Sequence, residues 1–435
     1  MDTDFQSELA ARVARDQARY RVPGLTVIVG VDGVQLAAAS AGFADVADRI
    51  PATSTTAYRI GSITKTFIAA ATLSLCSQGA LSLDTPIGRF LPGLHFADLP
   101  LRTVLSHSSG LQREVPGPMW ESMQGPSATE LMAALVDVEL VAAPGERWHY
   151  SNLGYALLGQ IIERVVDQPY ETLIDRTLLR PLNLTHTRWT PPADAAIGYR
   201  LDPYAEAVDR EPMMDQAAVG AAGELWSTGE DLVRWGHALC GGAPDVVPPK
   251  VVDAMHRVQI MVDTASWKRG WGLGLILDRH DDHVLAGHTG AMPGFQTALT
   301  LDRATNTVVA VLANATRSMN LATLAAEVTA AAIAAQPAPP PEVWTPAPPC
   351  PPEVTELLGS WWTESDETVF TWRHDGLHAH LASDPAATDT RFVQEAPGRF
   401  RAAAGRFHGE LLLATHANGN VELRWATYPL TRTTR

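Results

Sequence analysis

The sequence predicts an α+β protein. One antiparallel sheet, drawn from both ends of residues 1–335 and flanked by helices, surrounds an inserted helical region; a small antiparallel β-barrel follows over residues 353–435. Three observations lead there. Strand-like runs stand at both ends of the first region and helical periodicity fills its middle, which suits one sheet with an insertion. "QPAPPPEVWTPAPPCPP", residues 336–352, is a stiff proline-rich linker. Beyond it, short alternating runs are separated by Asp-Gly and Asn-Gly turns, the pattern of a small barrel or sandwich.

In chain order, the first twenty residues form an amphipathic helix with Phe5, Leu9 and Val13 along one stripe. In "GLTVIVGVDGVQLAAASAG", residues 24–42, two β-rich runs flank Asp32-Gly33, a hairpin signal. "SITKTFIAAATLSLCSQG" reads as a helix that starts at Ser62, repeats apolar residues at Ile63, Phe67, Ala70, Ala71 and Leu75, and stops at Gly79. Further helices are expected at Thr129–Leu140, Tyr155–Asp167, Tyr170–Leu179 and Gly229–Leu239. From Gly270 the period changes: "GWGLGLILD", "HVLAGHTG", "FQTALTLD" and "NTVVAVLAN" read as an antiparallel meander. An alanine-rich helix over Leu321–Ala335 closes the first region.

Bulk properties exclude several classes. With 435 residues, 46% hydrophobic and 19% charged, the chain has ample material for a core. Its net charge of −15 and lack of a basic run speak against nucleic acid or an anionic membrane as partner. Cys76, Cys240 and Cys350 are too widely spaced for a metal site or a disulfide framework, and Cys76 reads as a small core residue. No stretch gives 18 apolar residues, and the N-terminus has no apolar signal region, so a cytoplasmic location is expected.

Three short stretches could carry chemistry. Ser62 and Lys65 stand three apart, on one face of a helix. Serine needs a base or a strong local field to attack a carbonyl. Lysine is that base if its pKa is lowered; if charged, it stabilises the alkoxide instead. The plain alternative is a capped helix carrying a solvated lysine. Tyr150 and Asn152 lie in a loop before a helix. A phenolate beside an ammonium is a general base, and an amide can hold both substrate and lysine. Alternatively Asn152 caps the helix and Tyr150 packs in the core. His288-Thr289-Gly290 ends a strand, where a glycine permits close approach and a backbone N–H can face an oxyanion; alone, it reads as a buried histidine.

Together, Ser-x-x-Lys, Tyr-x-Asn and His-Thr-Gly in this order resemble the penicillin-recognising serine hydrolases. That superfamily includes class C β-lactamases, serine DD-peptidases, D-aminopeptidases and β-lactamase-like esterases. "LRTVLSHSSGL" (101–111), "AAGELWSTGEDLVRW" (221–235) and "WGLGL" (271–275) support it, and the resemblance covers roughly residues 15–335. It implies a β-lactamase/transpeptidase-like sheet, Ser62 as nucleophile and an acyl-enzyme. It also implies that Lys65 and Tyr150 move protons, that Asn152, His288, Thr289 and Gly290 bind substrate, and that the N–H groups of Ser62 and Ala291 form an oxyanion hole. No metal or organic cofactor is implied.

His288 departs from the lysine that most β-lactamases carry. A mostly neutral histidine suits a penicillin carboxylate poorly. Lys268 and Arg269 are the nearest cations in sequence. An esterase or D-amino-acid-type peptidase or amidase, acting on a small ester, amide or peptide, is therefore expected. A β-lactamase or DD-carboxypeptidase is the first alternative, and a catalytically silent binding or scaffold protein the second. Neither a Gly-x-Ser-x-Gly elbow nor a nucleotide-binding glycine loop is present. "RHDDH", residues 279–283, reads as a polar hairpin turn rather than metal ligands. Gly359-Ser360-Trp361 resembles the start of lipocalin-like barrels. Trp361, Trp362 and Trp372 read as barrel core and rim, and His378 and His380 as solvent-facing. The barrel is a candidate for oligomer contacts.

Overall fold

The computed structural model describes residues 3–316, 319–336, 344–384, 389–405, 407–417 and 420–434. The chain divides into two compact units, residues 1–337 and 338–435. The break falls within the proline-rich stretch 336–352, of which residues 337–343 lie outside the described residues.

The first unit is built on a nine-stranded antiparallel sheet. Its N-terminal part supplies helix α1 (Thr3–Arg19) and strands β1 (Gly24–Val31), β2 (Val34–Asp45) and β3 (Ile50–Pro51). Three helices cover the sheet's functional face or carry its residues: α2 (Thr64–Ser77), α3 (Asn152–Val166) and α4 (Gly229–His237). The chain then returns as β4 (Ile260–Met261), β5 (Arg269–Trp271), β6 (Ile276–His280), β7 (His283–Met292), β8 (Phe295–Asp302) and β9 (Thr307–Ala313), and closes with α5 (Leu321–Ala334). Strand order is β3-β2-β1-β9-β8-β7-β6-β5-β4, so the two ends of the unit meet where β1 pairs with β9.

Strand β1 explains why its run is almost continuously apolar. Leu25, Val27 and Val29 face one core with Leu9 and Val13 of α1 and Leu324 and Val328 of α5. Ile28 faces the other core, with Phe67 of α2 and Trp235 of α4. A strand covered on both faces has no polar side to alternate with. The β1–β2 turn is Asp32-Gly33, both in the left-handed region, as a two-residue hairpin requires.

Several expected elements are cut short by tertiary contacts. "GWGLGLILD" is not one strand. Gly272–Leu275 forms a tight turn, with the Gly272 N–H donating to Leu275 O at 2.8 Å, that drives Leu273 and Leu275 into the core. Gly274 sits at φ +84°, where a Cβ would also collide with Ala69 of α2. The helix expected over 129–140 runs as Ala128–Ala134 plus a 3-10 turn to Asp137. Beyond it the Val141 N–H donates to Gly110 O at 2.8 Å, a long-range pairing that replaces further helix. The helices expected over 170–179 and 229–239 change to π turns after Ile174 and His237. α3 begins at Asn152 rather than at Tyr155, and its N-cap is Ser151, whose Oγ accepts from the Gly154 N–H.

The second unit is an eight-stranded antiparallel barrel. Its strands are β10 (Gly359–Thr363), β11 (Asp366–Arg373), β12 (Gly376–Leu381), β13 (Thr390–Ala396), β14 (Arg399–Ala404), β15 (Leu411–Ala417), β16 (Asn420–Trp425) and β17 (Tyr428–Leu430). They pair in sequence order. Two backbone hydrogen bonds between Trp362 and Thr431, 2.8 and 2.9 Å, bring first and last strands together and remove the open edge. Trp361 is in the barrel core, while Trp362 and Trp372 are half-buried. His378 is not solvent-facing: it is buried, bonded through Nε2 to Asp375 at 2.8 Å, and His380 is mostly covered beside Asp389. These acidic neighbours shield a face that alternation alone marks as outward.

Candidate active site

Ser62 lies in a 3-10 turn, Gly61–Ile63, that opens α2. The turn is held by the pairing of Tyr58–Arg59 with Trp226–Ser227 and by the Ile60 N–H to Leu225 O bond at 2.9 Å. Buried Arg59 clamps the same region, donating to Glu224 at 2.7 Å and to Met214 O at 2.6 Å. These contacts bring Ala222 against α2. Lys65, one turn after Ser62, has no solvent exposure. Its Nζ stands 3.1 Å from Ser62 Oγ, 2.8 Å from Asn152 Oδ1 and 2.6 Å from Ala222 O.

That set of partners fixes what the amine can do. Asn152 Oδ1 and Ala222 O only accept, so each takes an N–H. Burial pulls the Lys65 pKa well below that of a free lysine; the Glu114 carboxylate opposes the shift and Arg113 adds to it. A neutral amine that gives its two hydrogens to the two carbonyl oxygens has its lone pair left for the Ser62 hydroxyl. Tyr150 also hydrogen-bonds Ser62. Burial raises its pKa above that of a free phenol, outweighing that hydrogen bond and the nearby Arg113. The sequence reading, in which an ammonium makes Tyr150 a phenolate, is therefore corrected. Both groups are buried together, and desolvation penalises both charges.

Asn152 is oriented from its other end, where Nδ2 donates to Glu114 Oε1 at 2.8 Å. His288 is 3% exposed. Its Nδ1 donates to Thr289 O at 2.6 Å, leaving Nε2 without a partner. Burial, with Lys65 nearby, pushes its pKa down to about 3, so it is neutral at physiological pH. Thr289 and Ala291 face outward beyond Gly287, the last residue of β7 that pairs with β6. Gly290 has a strict reason to be glycine: a Cβ there would collide with the Ile60 carbonyl oxygen. Gly61 answers it from the other side, since a Cβ on it would press on the Ala291 nitrogen. The Ser62 turn and the end of β7 thus meet backbone to backbone.

These residues open onto a cavity of about 730 Å³. Its walls include Trp120, Met123, Trp148, Trp271, Met292 and Phe295. Its charged groups are Arg113, Glu114, Glu211 and Arg269. Arg269 does reach the cavity, but Asp278 holds it through two bonds of 2.6 and 2.7 Å. Lys268 is not among the lining residues. Exposed Arg113 approaches Glu114 Oε1 at 3.3 Å, while the second oxygen, Oε2, is buried and without a partner. The "RHDDH" stretch forms the β6–β7 hairpin, and no cluster of metal-ligating side chains occurs among the described residues.

The structure brings Ser62, Lys65, Tyr150, Asn152 and His288 together, along with neighbours that the sequence reading does not name. His107 packs against Tyr150 with ring centroids 4.3 Å apart and planes tilted by 32°, and accepts the Ser151 N–H at 3.0 Å. His107, Ala222 and Trp271 lie in the three supporting phrases quoted above, so a signal for them existed. Glu114 and Trp148 lie in no such phrase, and only the fold brings them in.

A family model described as Beta-lactamase matches residues 9–334, and one described as a domain of unknown function (DUF7586) matches residues 350–432. Protein flp of Staphylococcus aureus (strain COL) is 26% identical over 329 residues, 72% of this chain; the chain spans only 64% of that relative's length. Esterase EstB of Burkholderia gladioli is 29% identical over 342 residues, covering 67% of this chain and 86% of the esterase. Among solved structures, the D-amino acid amidase of Ochrobactrum anthropi SV3 superposes with a TM-score of 0.67 at 25% identity, covering 76% of this chain and 99% of the amidase. The octameric penicillin-binding protein homologue of Pyrococcus abyssi shares the fold over 99% of this chain and all of its own, with a TM-score of 0.68 at 24% identity. The chain belongs to the beta-lactamase family, within the penicillin-recognising serine hydrolases.

Proposed function

We propose that this protein is a serine hydrolase that acts through an acyl-enzyme on small amides or esters, with amino-acid amides bearing a free amine as its best substrates. The carrying observation is the placement of Lys65: buried, its Nζ bonded to Asn152 Oδ1 and Ala222 O, and 3.1 Å from Ser62 Oγ. Ser62 Oγ attacks the substrate carbonyl while Lys65 accepts its proton. The N–H groups of Ser62 and Ala291 receive the oxyanion; each such donor contributes roughly 2.7–4 kcal/mol. Tyr150, neutral, hands its proton to the leaving amine or alcohol and is reprotonated from Lys65, so it relays a proton without storing charge. Water then enters where the leaving group stood, and the same relay runs in reverse to release the acid.

The substrate class rests on the cavity. Its aromatic walls suit an apolar side chain. The partly exposed Glu114 carboxylate lines the cavity and gives an ammonium a charged acceptor. The relatives point the same way, one being named an esterase and one a D-amino acid amidase. A β-lactamase or DD-carboxypeptidase reading needs a free cation for a carboxylate. His288 is neutral, Arg269 is held by Asp278 and Arg113 is paired with Glu114 at 3.3 Å, so this reading is weaker. The test is a panel of D- and L-phenylalanine amide, N-acetyl-phenylalanine amide, p-nitrophenyl butyrate and nitrocefin. Turnover of the free-amine amides above their N-acetyl forms supports the proposal. Preference for nitrocefin favours the β-lactamase reading, and no turnover of any compound favours a silent scaffold.

A further inference from the structure

Residues 148–151, which carry Tyr150 into α3, belong to no helix or strand. The hydrogen-bond ladder of a regular element therefore does not fix where the phenol stands. One residue from a distant part of the chain supplies that hold. The His107 carbonyl oxygen accepts the His149 N–H at 2.7 Å, and its ring Nδ1 accepts the Ser151 N–H at 3.0 Å. The N–H groups on both sides of Tyr150 thus end on His107. The same ring packs against Tyr150 and is itself held by Tyr155 and Trp271, with centroids 5.2 and 5.0 Å away. The turn that carries it is fixed in place: the Ser108 N–H donates to Thr103 O at 2.9 Å, and Ser108 O accepts the Gly145 N–H at 2.7 Å. His107 has φ +56°, in the left-handed region that histidine and asparagine enter more readily than most residues.

The chemistry of the ring suits this task. An Nδ1 that accepts carries no hydrogen, so in the neutral ring the hydrogen is on Nε2. Protonation would place a second N–H against that of Ser151 and break the hold. Burial keeps the His107 pKa well below that of a free histidine, so the accepting form persists. Nε2 is buried and has no partner among the described residues, so the ring's one hydrogen bond goes to the backbone beside Tyr150. The Tyr150 hydroxyl meets Ser62 only while that backbone stays in place. A misplacement of about 1 Å can cost about 10²-fold in rate.

We infer that His107 is a positioning residue for Tyr150, holding the backbone on both sides of it so that the phenol meets Ser62; this rests on the proton relay proposed above. The test compares His107→Asn with His107→Leu in the full-length protein. Asparagine Oδ1 stands as many bonds from the backbone as Nδ1 and keeps the acceptor; leucine has the same branched shape without it. Each is made in wild type and in Tyr150→Phe. The substrate is whichever of p-nitrophenyl butyrate and D-phenylalanine amide wild type turns over faster, and melting temperatures verify folding. His107→Leu should lower kcat by about 10²-fold with KM little changed. His107→Asn should recover most of that loss. In Tyr150→Phe, His107→Leu should cost nothing further, because its effect passes through a hydroxyl already removed. Equal losses in the two backgrounds, equal losses for asparagine and leucine, or a raised KM with kcat kept would each overturn the inference. A second measurement needs no variant: the imidazole 15N spectrum of wild type should show His107 with hydrogen on Nε2 and none on Nδ1, and the opposite tautomer would overturn the inference. Ser62→Ala, run alongside, separates the two ideas. Turnover undiminished there, or absent in wild type, would overturn the hydrolase reading and the inference with it.

Discussion

Replacing Glu114 with glutamine separates substrate recognition from chemistry. The introduced amide keeps an oxygen for Asn152 Nδ2, the bond that orients Asn152 at 2.8 Å in the native site. What disappears is the carboxylate charge on the cavity wall. A hydrogen bond to a charged group contributes about 1.5–3 kcal/mol, so kcat/KM for D-phenylalanine amide should fall roughly 10- to 150-fold. p-Nitrophenyl butyrate has no amine and should lose little at alkaline pH. A second readout comes from Lys65. The Glu114 carboxylate raises the Lys65 pKa against the larger effect of burial, so its removal lowers that pKa further. Lys65 must be neutral to accept the Ser62 proton. Activity therefore rises with pH through the Lys65 pKa, and in Glu114→Gln this acid limb should move to lower pH for both substrates. Steady-state rates across pH with both substrates make the measurement. Equal losses on amide and ester, or an acid limb moved to higher pH, would refute the reasoning.

Other perturbations follow from the same geometry. Gly290→Ala places a methyl group against the Ile60 carbonyl, so the Ser62 turn and β7 must separate; activity should collapse and the melting temperature drop, read by ester hydrolysis and circular dichroism. Tyr150→Phe removes the relay but not the ring packing against His107, so kcat should fall by about 10²–10⁴ with little change in melting temperature. His288 has a folded pKa of about 3, below the unfolded value of about 6.5. Between these values the unfolded chain binds a proton that the folded one does not, so stability falls as pH drops through that window. His288→Gln should flatten the dependence by up to about 1.4 kcal/mol per pH unit, measured by denaturant titration at several pH values.

The legibility of this chain varies with the range of the interactions involved. Ser62 and Lys65 can be paired from sequence because a helix turn fixes their separation, and Asp32-Gly33 because a two-residue hairpin needs left-handed backbone. The Gly272–Leu275 turn is hidden because its apolar residues continue the strand pattern, while the contacts that bend it come from Leu105 and Met255. The end of the 129–140 helix is set by Gly110, some thirty residues away. Glu114 carries no pattern of its own, and only the fold sets it against Asn152 and in the cavity wall. The protonation of Tyr150 misleads for a related reason. The neighbouring lysine can be read from sequence, but the burial that disfavours the charge of both groups cannot.

Ser62 as the acylated nucleophile is the central claim. The most direct measurement is the intact mass of wild type and Ser62→Ala, quenched during turnover of p-nitrophenyl butyrate, with peptide mapping of any adduct. The account predicts one butyryl group on Ser62 in wild type, and neither adduct nor turnover in Ser62→Ala. An adduct at another residue, or undiminished turnover by Ser62→Ala, would contradict it.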